Sequence, residues 1–180
     1  MKRIKLDAEA RIIIFRVLFA TAVAFAVALI QSSFLPFVGI FGVVPDIVLA
    51  FVVTTAFFNG LEFGIAVGLI SGIICDMLGG VGVSVLPLVY VLVGGVVGYF
   101  VSHRFARNFI VWLMGMVGAC AVKMCYSAFI CIMFSGDFRL IDFVFKTAFP
   151  EFTGTLILSL ALYFPLCFVA KKLRKKGDKG

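Results

Sequence analysis

Three ionisable residues stand inside otherwise apolar sequence: Asp46, Asp76 and Lys123. An ionised side chain within hydrocarbon costs at least ~2.5 kcal/mol on insertion scales, so it is expected to find a partner or a wet cavity. Two carboxylates and one ammonium at a common depth could form a buried ion pair or line a small polar binding site. Other chemistries have less to build on. The single histidine, His103, lies in a basic stretch, and the sequence has no zinc-ligand spacing, phosphate-binding loop or nucleophile in register with a base. The five cysteines, Cys75, Cys120, Cys125, Cys131 and Cys167, are odd in number and sit in apolar blocks. They read as small packing groups rather than as disulfides or metal ligands. The residues therefore predict a protein that is not an enzyme and carries no metal or other cofactor.

The elements that must position these groups are membrane helices. Of the 180 residues, 63% are hydrophobic and 14% charged, and 22 are Phe. The mean hydropathy is +1.21, which excludes an ordinary soluble domain. The apolar blocks are near the ~20 residues that cross a bilayer as helix, without the alternation of a barrel strand. An all-α integral membrane protein follows, as one polytopic domain over residues 1–180. Its six helices are expected at about 12–35, 44–58, 61–78, 84–101, 109–134 and 150–170. Turn signals separate them: Pro36 and Gly39, Asn59-Gly60, Gly79-Gly80 and Ser135-Gly136-Asp137. Pro45 and Pro150 suit the first turn of a helix, and the acids that follow, Asp46 and Glu151, suit the positive end of its dipole.

Charge placement predicts the topology. Lys2, Arg3, Lys5, Arg11 and Arg16 open the first helix, Arg104 and Arg107 join the fourth to the fifth, and six basic residues lie in the tail at 171–180. All thirteen fall on one side, against Arg139 and Lys146 on the other, so both termini are expected in the cytoplasm. The net charge of +7 is explained this way without nucleic acid. Ala24-Phe25-Ala26 and Ala26-Val27-Ala28 resemble signal-peptide cleavage sites, but the apolar stretch outruns a typical h-region and reads as a retained span. The outer connection SGDFRLIDFVFKTAF interleaves charged and aromatic residues, as an interfacial connector or a partner-docking segment would.

Gly60, Gly64, Gly68 and Gly72 recur at intervals of four, and Asp76 takes the next step. The last three glycines share one helix face, where another backbone can come close. Gly94 and Gly98 repeat the device on the fourth helix, and Gly115, Gly118 and Ala119 on the fifth. Internal packing is the expected use, with a dimerisation surface as the alternative. A hairpin about Asn59-Gly60 sets Asp46 opposite about residue 74, near the depth of Asp76. Asp76 and Lys123 lie about 15 and 14 residues from the cytoplasmic starts of their helices, hence at similar depths. The expected junction is Lys123 bridging to Asp76 with Asp46 nearby; the alternative leaves both carboxylates wetted separately by the outer interface.

The stretch from Pro45-Asp46 through the glycines to Asp76, Gly79-Gly80, Tyr90, Gly94 and Gly98 resembles the rod shape-determining protein MreD family. The resemblance covers residues 45 to 98; the first helix and the last two match only in length and hydropathy, and the turn GGVGVS is shorter than expected of the family. It implies a non-enzymatic membrane scaffold of the bacterial cell-elongation (Rod) complex, in the cytoplasmic (inner) membrane. Its implied direct partner is the bitopic MreC, with MreB, the glycan polymerase RodA and a class B penicillin-binding protein in the wider assembly that builds peptidoglycan and maintains rod shape. It also implies a core similar to the substrate-binding component of energy-coupling-factor vitamin transporters. On that analogy Asp46 and Asp76 form a fixed polar element, and a small-molecule binder is the competing function. Membrane lipid is a further expected contact of the basic tail.

Overall fold

The computed structural model describes residues 2–33, 44–79, 85–103, 108–135 and 147–177. Within these it is helical throughout, with six main helices: α1 (Lys2–Ser33), α2 (Ile47–Asn59), α3 (Leu61–Gly79), α4 (Leu86–His103), α5 (Phe109–Ser135) and α6 (Phe149–Gly177). The outer connector at 136–146, the turn residues 80–84 and the Pro36/Gly39 turn lie outside the described residues. Helices α1 and α6 run past the expected apolar limits into their basic ends. In α1 no proline interrupts the hydrogen-bond ladder where polarity changes, and α6 continues past Pro165, whose missing N–H leaves one interior bond unmade.

Three described segments are long and apolar enough to cross a membrane: Leu61–Gly79, Leu86–His103 and Phe109–Met133. Val17–Ser33, Ile47–Asn59 and Phe149–Phe164 are shorter apolar stretches. Large apolar side chains, among them Phe15, Leu88, Met114 and Phe164, point outward, as suits a protein surrounded by lipid rather than water.

Helix α2 is the axis of the bundle. Every residue from Val48 to Phe57 is buried, and the other five helices all pack against it. Around it α1 packs on α3, α3 on α4, α4 on α5 and α5 on α6. The side of α1 turned inward is built from Ala20, Ala24 and Ala28, a small-residue stripe that permits close approach.

A single residue, Gly60, joins α2 to α3. Its φ of +92° suits glycine, its N–H donates to Ala56 O at 2.8 Å, and its own carbonyl accepts from Gly64 N at 3.0 Å. The chain therefore reverses with no loop. The most extensive contact in the bundle is α3 against α4, and the glycine stripes make it. A β-carbon on Gly64 would fall 2.4 Å from Gly94 O, one on Gly68 2.4 Å from Tyr90 O, and one on Gly72 2.3 Å from Pro87 Cα. Gly98 approaches Leu61 in the same antiparallel register. The stripes on α3 and α4 thus face each other inside the molecule. Helix α5 differs: Gly115 meets only Val97 at ordinary contact distance, and nothing lies within 4 Å of a β-carbon on Gly118.

Candidate functional site

The polar junction begins at the N-terminus of α2. The first N–H groups of a helix have no partner within it, and at a buried end they must find one elsewhere. Asp46 is the N-cap, and its Oδ1 accepts from Leu49 N at 2.9 Å. Its own N–H donates to Thr155 Oγ1 of α6 at 2.9 Å, and Val48 N donates to Gln31 Oε1 of α1 at 3.0 Å. Side chains from two other helices thus complete the start of α2.

The second oxygen of Asp46 gathers two further helices. Tyr90 of α4, fully buried, donates its hydroxyl proton to Oδ2 at 2.7 Å, and Lys123 Nζ of α5 lies 2.5 Å from the same oxygen. Lys123 also pairs with Glu151 Oε1 of α6 at 2.5 Å. Asp46 is inaccessible, whereas the Lys123 and Glu151 side chains are 17% and 19% exposed, so the junction opens slightly between α5 and α6. Beside it is a cavity of about 10 Å³ lined by Cys120, Lys123, Glu151 and Thr155, room for one water at most.

The charges balance when backbone dipoles are included. Asp46 caps α2 and Glu151 sits in the first turn of α6, each at a helix N-terminus worth roughly half a positive charge. Two such termini and one ammonium offset two carboxylates. The arrangement is an electrostatic staple joining the starts of α2 and α6 through a lysine from α5. No group of three or more His, Cys, Asp or Glu among the described residues could hold a metal ion.

The expected pairing changes in one respect. Lys123 meets Asp46 as part of the junction, but its second carboxylate is Glu151 rather than Asp76. Equal depth does not fix direction around a helix axis, and Asp76 lies on a partly exposed side of α3 while α6 brings Glu151 to Lys123. Glu151, Thr155 and Gln31 were not expected at the site, and Tyr90 was marked only through the resemblance. The signal for two of them was the spacing Glu151-x-x-x-Thr155, which places both on one face of α6. Glu62 is exposed in the first turn of α3, and exposed His103 stacks on Tyr99 with centroids 4.7 Å apart. Cys120 is buried and Cys125 exposed. Two turns further along α2, Trp112 Nε1 donates to Thr54 Oγ1 at 3.2 Å and the indole packs against Tyr163.

Comparison with known proteins gave no match: no protein-family model fits the chain, and no curated protein or solved structure is significantly similar to it.

Proposed function

We propose that this protein is a non-enzymatic membrane scaffold of the MreD type, which binds MreC and helps couple MreB, RodA and a class B penicillin-binding protein in the cell-elongation complex. In this reading six helices cross the bacterial cytoplasmic membrane with both termini inside, and the staple lies in the outer half. One observation carries the choice of scaffold over small-molecule binder. The charged groups of the staple are already engaged with one another, and the adjoining cavity of about 10 Å³ is far below the ~300 Å³ at which ligand pockets begin. The residues behind the resemblance also act together: Asp46, Gly64, Gly68, Gly72, Tyr90, Gly94 and Gly98 belong to one packed unit of α2, α3 and α4. A unit locked in this way suits a rigid platform that presents its outer faces to other membrane helices.

The test is affinity purification of the full-length protein from its native membrane, with analysis of co-purified proteins and small molecules. MreC in stoichiometric yield, together with loss of rod shape on depletion, is the expected result. A stoichiometric vitamin in place of MreC would overturn the reading in favour of a transporter component.

A further inference from the structure

The hydrogen-bonding capacity of the staple is not used up by the protein's own groups. An ammonium carries three N–H donors, and Lys123 directs two of them to Asp46 Oδ2 and Glu151 Oε1. Glu151 meets Lys123 through Oε1, and its second carboxylate oxygen has no donor among the described residues. Thr155 is the third case. Its Oγ1 accepts from Asp46 N, yet its hydroxyl proton has no acceptor among the described residues. Thr21, Thr54, Thr55 and Thr153 each donate to the carbonyl four residues earlier, the usual recourse of a helical threonine. Thr155 turns its hydroxyl to α2 instead.

All three residues border one space. The cavity of about 10 Å³ lies where α2, α5 and α6 meet, with Lys123, Glu151 and Thr155 as its polar lining and Leu49, Met124 and Phe152 among its apolar walls. A bound water needs about 10–15 Å³ of free volume and two to four polar partners. The cavity reaches the lower limit of volume and supplies three partners. Its chemistry also suits water better than other occupants: an N–H to donate, a carboxylate oxygen to accept, and a hydroxyl that does either. An alkyl group would leave all three unpaired, a second cation would face the Lys123 ammonium, and an anion would face Glu151.

We propose that this cavity is a water-binding site and that its water bridges Lys123, Glu151 and Thr155. The water accepts from the third N–H of Lys123 and from the Thr155 hydroxyl, and donates to the free oxygen of Glu151. Asp46 is inaccessible, but Thr155 and Lys123 each link it to the water by one residue. The Lys123 and Glu151 side chains are partly exposed, so the site exchanges with the outside between α5 and α6. The staple is then a hydrated ion pair fed from one side of the bundle, in which an ionised group within hydrocarbon is held by partners and by water together. The assignment rests on the geometry of the staple and is independent of which partner the protein binds.

A density map of the full-length protein that resolves ordered water tests this directly. The expected result is a peak at about 2.7–3.2 Å from Lys123 Nζ, a Glu151 carboxylate oxygen and Thr155 Oγ1. Thr155→Val, which keeps the shape and removes one partner, should lose the peak. A cavity closed by its apolar walls, or a peak unchanged in Thr155→Val, would overturn the proposal. Radiolytic hydroxyl labelling of the wild-type protein in detergent supplies a second readout that needs no variant to fold. Radicals formed from bound water oxidise the side chains beside it, so Met124 at the cavity should be oxidised faster than Met114, which is more exposed but faces detergent on the same helix. Equal or slower oxidation of Met124 would mean that the cavity is dry.

Discussion

A β-carbon on Gly68 would lie 2.4 Å from the carbonyl oxygen of Tyr90, and the hydroxyl of that same Tyr90 donates to Asp46 Oδ2 at 2.7 Å. The small-residue stripe and the polar junction are therefore one device: α4 reaches Asp46 because α3 lets its backbone in. Gly68→Ala should destabilise the protein by about 1–3 kcal/mol, since the obstructing atom is backbone and cannot swing aside. Alanine's helix preference, worth about 0.5–1 kcal/mol over glycine, acts in the opposite direction and is outweighed. Gly118→Ala, with open space at its β-carbon, should instead be neutral or stabilising by up to ~1 kcal/mol. Thermal unfolding in one detergent separates the two; equal shifts would show that close approach is not what the α3 glycine provides.

The staple makes a prediction about coupling. Lys123→Met leaves Asp46 buried beside no cation, a change that costs about 3–5 kcal/mol when one partner of a buried pair is removed. Adding Asp46→Asn removes the charge that was left unpaired, so the double variant should be more stable than the sum of the single losses by more than about 1 kcal/mol. Glu151→Gln should cost less, about 1 kcal/mol, because its side chain reaches solvent or headgroups. Asp76→Asn and Lys123→Met should add to within about 0.5 kcal/mol. Strong coupling in that last cycle would restore Asp76 as the partner of Lys123.

The helices and the tight α2/α3 reversal were legible in the sequence because each rests on local chemistry. Hydropathy marked the apolar segments, Pro45-Asp46 marked the start of α2, and Gly60 marked the turn, where the backbone adopts a positive φ. The stripes of Gly64, Gly68, Gly72, Gly94 and Gly98 announced close packing, and spacing alone identified the residues. Which helices would face each other was not written there. Depth along the membrane follows from counting residues, whereas azimuth depends on how six helices pack, and this is why Asp76 stood in for Glu151. Helix α2 shows the same limit: its 13 residues read like those of its neighbours, yet it is the helix against which all five others pack.

The buried hydroxyls at Asp46 should each matter. Tyr90→Phe keeps the ring and removes a bond to a charged acceptor, for an expected loss of about 1.5–3 kcal/mol. Thr155→Val keeps the shape and strips the acceptor from the Asp46 N–H, leaving a buried donor unsatisfied at about 1–3 kcal/mol. Thr155→Ser should recover most of that loss, because the hydroxyl is the part that α2 uses. Denaturation of the three variants in a common detergent checks the order; a valine variant as stable as the serine one would mean that the α2 N-terminus is satisfied in another way.

Alternation of the helices predicts where single cysteines can be reached. Ser33 is exposed at the end of α1, and Asn108 is exposed just before α5, after four helices. If α1 to α4 each cross the membrane, with the basic ends inside as the charge bias requires, Ser33 faces outward and Asn108 faces the cytoplasm. Cys75, Cys120, Cys125, Cys131 and Cys167 are first replaced by alanine, and Ser33→Cys or Asn108→Cys is then introduced. A membrane-impermeant maleimide added to intact cells should label the first variant and reach the second only after permeabilisation. The short central helix is the step most exposed to this test. Its 13 residues span about 20 Å of a ~30 Å hydrocarbon layer. If α2 fails to connect opposite faces while the other three helices cross, Ser33 and Asn108 label from the same side.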